Sequence, residues 1–89
     1  MRFEWDETKN RANKAKHGVD FVRTQLLFDG RPIWTIPSDY AHEERWLTVG
    51  ILDGLFYTVV WTPRGEAIRL ISVRRARDAE VRQHRSVHE

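Results

Sequence analysis

The 89 residues, 40% of them hydrophobic and among them four Trp, four Phe and two Tyr, suffice for one buried core and not for two, so 1–89 reads as a single domain. The lack of cysteine excludes disulfides, thiolate metal sites and cysteine nucleophiles, and it fits a reducing compartment. The net charge of +2 hides segregation: Lys9, Arg11, Lys14, Lys16 and His17 follow one another without an acid, and four arginines crowd 69–77, a pattern that suits a polyanion.

Asp6 has the chemistry of a helix N-cap and Gly18 that of a helix stop, which predicts a first helix over 7–16 with little apolar surface beyond Ala12 and Ala15. Asp20 caps a second predicted helix, 21–28. Its apolar stripe is Val22 and Leu26 together with Phe21 and Phe28. IWTI at 33–36, between two prolines, suits an edge strand, and 37–43 reads as a polar loop. From Glu44 the pattern has period two, with Arg45, Leu47, Val49 and Ile51 on one face and Glu44, Trp46 and Thr48 on the other.

Asp53-Gly54 signals a tight hairpin, and 55–62 is a returning strand apolar on both faces. After a second turn at 63–66 come a last strand, 67–73, and a charged helix over 76–85. The expected fold is α+β: two N-terminal helices, a four-stranded mainly antiparallel sheet and a C-terminal helix, with the helices packed on one face. Apolar runs are strand-sized and the N-terminus lacks an apolar leader, so a cytoplasmic protein with no membrane partner is expected.

Strict alternation predicts that Arg69, Ile71 and Val73 share one face of the last strand, with Ile68 and Leu70 on the other. Arg69, Arg74, Arg75 and Arg77 then present planar, permanently charged forks suited to phosphate. Charge runs are commonly solvated surface, with Arg77 pairing to Asp78 or Glu80. Yet cations at a helix N-terminus oppose the dipole, so another constraint must hold them there. His17 ends the first helix, and an imidazole suits proton transfer near neutrality. Glu44 and Arg45 are adjacent residues on opposite faces, able to accept a proton and to hold a phosphate.

No carboxylate cluster of two-metal type, zinc-like histidine spacing, phosphate-binding glycine loop or GxSxG motif occurs, so no metal and no cofactor are expected. His84 and His88 are expected in a frayed tail. A reaction open to such a set is cleavage of RNA through its own 2′-hydroxyl, which needs only proton transfer and cations on the phosphate.

The blocks FEWDETKNRANKAKHGVDF, EERWLTVG and VVWTPRGEAIRLISVRRA, in this order and spacing, resemble the BrnT family of toxins from type II toxin–antitoxin pairs. The resemblance runs from residue 3 to 82. It implies a RelE-like fold, a metal-independent ribonuclease that arrests translation, and neutralisation by a BrnA-type ribbon-helix-helix antitoxin, through which alone operator DNA is bound. Carried over by position, it implies catalytic roles for His17, Glu44, Arg45, Arg69 and Arg74, and RNA contacts for Lys16, Arg75 and Arg77. Trp61 departs from the tyrosine common in the family and cannot accept or shuttle a proton as a phenol can, which weakens this copy if that tyrosine takes part in the family's chemistry. SVRRA replaces the frequent SARRA, with no functional consequence expected. The other reading is a catalytically weak or inactive module that binds nucleic acid and antitoxin and takes part in operon repression.

Overall fold

The computed structural model describes residues 1–39 and 42–89; positions 40 and 41 of the expected polar loop lie outside the described residues. In chain order the elements are β1 (Arg2–Glu4), α1 (Glu7–His17), α2 (Phe21–Thr24) running into a 3-10 turn (Gln25–Phe28), β2 (Trp34–Pro37), β3 (Trp46–Leu52), β4 (Leu55–Arg64), β5 (Ala67–Arg75) and α3 (Asp78–His88). The strands form one sheet in the order β1-β5-β4-β3-β2. All neighbours are antiparallel except β1 and β5, which run parallel with Phe3 beside Ile68 and Glu4 beside Arg69.

The expected α+β class holds, but among the described residues the sheet has five strands rather than four. β1 is only three residues long, too short to display a period, and long-range contacts hold it. Phe3 meets Phe28 at 5.5 Å between ring centroids, and Glu4 pairs with Arg69 across the ladder. The tight hairpin forms as expected, with Asp53 and Gly54 both at positive φ (52° and 80°). β4 runs through Pro63 to Arg64, beyond the predicted end. The β3 ladder stops at Trp46 opposite Trp61, so the strand has one neighbour at the proline.

The helices do not share one face. Val19, Phe21 and Leu27, from α2 and the segments flanking it, bury against Leu52, Val59, Ile68, Leu70 and Val73 on one side of the sheet. α3 covers the other side, where Thr58 meets Glu80 and the Phe56 ring stands edge-on to His84 at 5.2 Å. The apolar pattern on both faces of β4 demands this second cover. His84 and His88 are no frayed tail: their Nε2–H groups donate to the carbonyls of Pro32 (3.1 Å) and Ile33 (2.7 Å), and His84 is buried. These bonds fasten the end of α3 to the segment before β2.

The second helix tightens after one turn, and this changes which residues it buries. With about three residues per turn, Phe21, Thr24 and Leu27 face inward in register. Phe28 stays packed at the core margin, whereas Val22 and Leu26, half of the expected stripe, are 58% and 39% exposed. The tight turn rests directly on Gly50 of β3, where an added Cβ would stand 2.6 Å from Leu27 Cδ2 and 3.2 Å from Ile33 Cγ2. Leu27 is fully buried, so it withdraws only by displacing its core neighbours. Gly50→Ala is therefore expected to overpack this contact and cost about 1–2 kcal/mol in chemical denaturation; a variant as stable as the parent rules out the tight fit.

Candidate active site

α1 is polar, yet it is firmly placed. Asp6 Oδ1 accepts from the N–H groups of Thr8 (2.8 Å) and Lys9 (3.2 Å), and Gly18, at φ 77°, closes the helix by donating to the Lys14 carbonyl. Two asparagines supply what apolar packing does not. Buried Asn10 accepts from Phe21 N–H and donates to Asp20, joining α1 to α2. Asn13 Oδ1 accepts from Val73 N–H at 3.1 Å, so α1 lies along the edge of β5 that β1 leaves open.

A register shift between β4 and β5 leaves Ile71 without a partner: Val60 faces Ser72 while Trp61 faces Leu70. The shift alters the predicted alternation. Ile68, Leu70 and Val73 now share the core side, whereas Arg69, Ser72 and Arg74 share the other. Arg45, one residue outside β3 and adjoining Thr62, falls on that second side by continued alternation. Thus Arg45, Arg69 and Arg74 come to one face.

Each arginine has a defined partner. Arg74 donates through Nη1 and Nη2 to Glu80 Oε1 and Oε2 at 2.8 and 2.9 Å, a two-pronged pair in which both side chains are mostly shielded. Glu80 also accepts from Thr58 Oγ1 and Arg77 N–H, both at 2.8 Å. Burial pushes the Glu80 carboxyl up, but the bonds from Arg74, Arg77 N–H and Thr58 outweigh it and hold the group at about 2. Here is the constraint that sets a cation at the start of α3: the same carboxylate closes the helix terminus and anchors β5. Arg69 Nη1 donates to Glu4 Oε2 at 2.8 Å, and Arg45 Nε donates to Glu43 at 2.8 Å. Arg75 lies on the opposite side, 5.7 Å from the centre of the Tyr57 ring, and Arg77 is exposed at the N-cap of α3.

Lys16 and His17 line a hollow of about 390 Å³ between α1 and β5, together with Lys9, Ala12, Asn13, Ile71 and Ser72. Ser72 is the junction, because it lines this hollow and also sits between Arg69 and Arg74 on the arginine face. Glu44 stands apart. Its Oε1 accepts from Trp46 Nε1 at 3.0 Å, before the start of β3, whereas the Gly18 end of α1 adjoins Leu52 at the other end of that strand. Eight residues of strand separate those ends by roughly 25 Å. Glu44 and His17 therefore do not meet at one reacting phosphate. Trp61 points to the α2 side, stacked on Trp46 at 6.2 Å and donating to Thr48 Oγ1 at 2.8 Å, away from the arginine face. Among the described residues no three His, Cys, Asp or Glu side chains group to hold a metal ion.

Sequence reading placed the arginines at the right strand but missed Glu4, Ser72, Asn13 and the central part of Glu80. Only Glu80 left a signal, three residues into α3 where a carboxylate reaches back to the N-cap amide. The assembled features define a small α+β domain that gathers lysine and imidazole groups beside one edge of β5 and guanidinium groups on the adjoining sheet face. The family described as ribonuclease toxin, BrnT, of type II toxin-antitoxin system matches residues 5–80, and the chain belongs to that family. No curated protein matches it. Among the described residues no helix is long and apolar enough to cross a membrane.

Replacing Glu80 by Gln is expected to cost about 2 kcal/mol near neutral pH, since it removes charged hydrogen bonds. A carboxyl depressed to about 2 from an ordinary 4.5 contributes stability that is complete above about pH 4.5 and lost as pH falls through about 2. The difference in melting temperature between parent and Glu80→Gln should therefore shrink across that window; a constant difference contradicts the pairing.

Proposed function

We propose that this protein is a metal-independent endoribonuclease with a RelE-like fold, a toxin that cleaves RNA, arrests translation and is neutralised in the cytoplasm by a BrnA-type ribbon-helix-helix antitoxin. The family match over residues 5–80 carries the ribonuclease reading. The donor-rich surface around Ser72 supports the metal-free chemistry. In that chemistry the 2′-oxygen bonds to the adjacent phosphorus as its proton passes to a base, the bond from phosphorus to the 5′-oxygen breaks, and that oxygen takes up a proton. The products are a 2′,3′-cyclic phosphate and a 5′-hydroxyl.

His17 is the proton-transfer group in this scheme, with Lys16 beside it for the developing phosphate charge. Arg69 and Arg45 contact phosphate on the sheet face. Arg74 works through Glu80, holding the end of β5 and the start of α3 in place, because its fork is already engaged. Arg75 and Arg77 track the strand beyond. Glu44, remote from His17, serves the Arg45 end of the surface. The antitoxin covers this cationic side, and operator DNA is reached only through it. One observation favours the alternative of a weak or inactive binding module: Arg69 and Arg74 both pair with carboxylates in the free protein.

The purified toxin should degrade RNA in EDTA. His17→Ala is expected to lower the rate by about a hundredfold or more, and Arg69→Ala by about tenfold. Loss of activity in EDTA removes the metal-free mechanism, parental rates for His17→Ala remove its role, and an inert parent that still binds RNA establishes the alternative.

A further inference from the structure

The hollow between α1 and β5 contains a feature that the cleavage scheme does not use. Asn13 is held in one orientation, because its Oδ1 accepts from Val73 N–H. Its Nδ2 is then left as a buried donor with no hydrogen-bond partner among the described residues. The polar groups around it are of one kind. Lys9 and Lys16 only donate, Ser72 and His17 are able to donate, and among the described residues no carboxylate lines the space. A volume of about 390 Å³ admits a tetrahedral oxyanion with part of an attached sugar.

We infer that this hollow is a phosphate pocket: it takes one phosphate of a bound RNA strand, with Asn13 Nδ2 and Ser72 Oγ donating to its oxygens and Lys9 and Lys16 balancing its charge. The identity of the polymer rests on the ribonuclease reading; the preference for phosphate rests on the hollow itself. A buried donor in a fixed orientation makes Asn13 the recognition element, with the half-buried Ser72 hydroxyl beside it, while the exposed lysines supply attraction that screens with salt. His17 lines the same hollow, so the pocket decides which phosphate of the strand stands beside the imidazole.

The test uses two probes, inorganic phosphate and a single-stranded 2′-O-methyl RNA that cannot be cleaved, followed by NMR of the full chain. Both should shift the Asn13 side-chain amide and the Ser72 backbone resonance. Asn13→Asp keeps the oxygen that accepts from Val73 and exchanges the unpartnered donor for an acceptor between Lys9 and His17. It is expected to melt no lower than the parent and to bind the RNA at least tenfold more weakly. Lys9→Ala, on the exposed helix surface, should weaken binding in the same direction. An Asn13 amide unmoved by either probe, or parental affinity in either variant, overturns the pocket. Cleavage by a protein whose Asn13 amide stays silent would keep the ribonuclease and discard the pocket; binding there without any cleavage would do the reverse.

Discussion

The outer edge of β5 is the constraint on which the structure turns. A strand edge exposes main-chain donors and acceptors that need partners, and β5 finds them from two sources. The parallel pairing with β1 covers Ala67 to Arg69, and the Asn13 carboxamide takes up Val73 N–H further along. Because an amide side chain rather than apolar packing closes the second half, α1 needs no hydrophobic stripe. It is thereby free to carry lysines and a histidine on the surface beside the strand.

The same strand accounts for the arginines. Without the register shift at Ile71, strict alternation would put Val73 opposite Leu70 and beside Arg69; with it, three apolar residues reach the core and Arg69, Ser72 and Arg74 reach the other face. In the segment that looked like an unexplained run of cations, Arg69 and Arg74 occupy the non-core face of β5, Arg75 lies on the other side near its end, and Arg77 caps α3. α3 then packs over that face with Glu80 at its first turn, so Arg74 is neutralised where the helix dipole would otherwise oppose it.

Much of this was legible in the sequence. Asp6 and Gly18 marked both ends of α1, Asp53-Gly54 marked the central hairpin, and the apolar character of both faces of β4 marked it as an interior strand. What escaped has a common cause, dependence on partners distant in the chain. β1 is a strand only because β5 lies beside it. The inward set of α2 moves from Leu26 to Leu27 because the helix tightens over Gly50, and no local propensity encodes that. The bulge at Ile71 shifts the side chains beyond it without leaving any mark in composition. His84 and His88 looked like tail residues because the carbonyls they bond belong to Pro32 and Ile33, more than fifty positions earlier.

A chain of this size has no separate scaffold for its site, so the groups proposed to bind substrate also hold the fold, and they differ in how freely they change partners. Arg74 and Glu80 form a two-pronged pair with side chains only 21% and 12% exposed, and the carboxylate accepts two further bonds. Breaking it leaves several buried groups unsatisfied. Arg69 and Glu4 share one bond, with 29% and 37% exposure. A phosphate offers Arg69 what Glu4 offers, and water solvates the displaced carboxylate at modest cost. On the ribonuclease reading the two carboxylates therefore differ in function: Glu80 is permanent, whereas Glu4 holds the Arg69 fork in place until RNA arrives and competes with weaker polyanions for it.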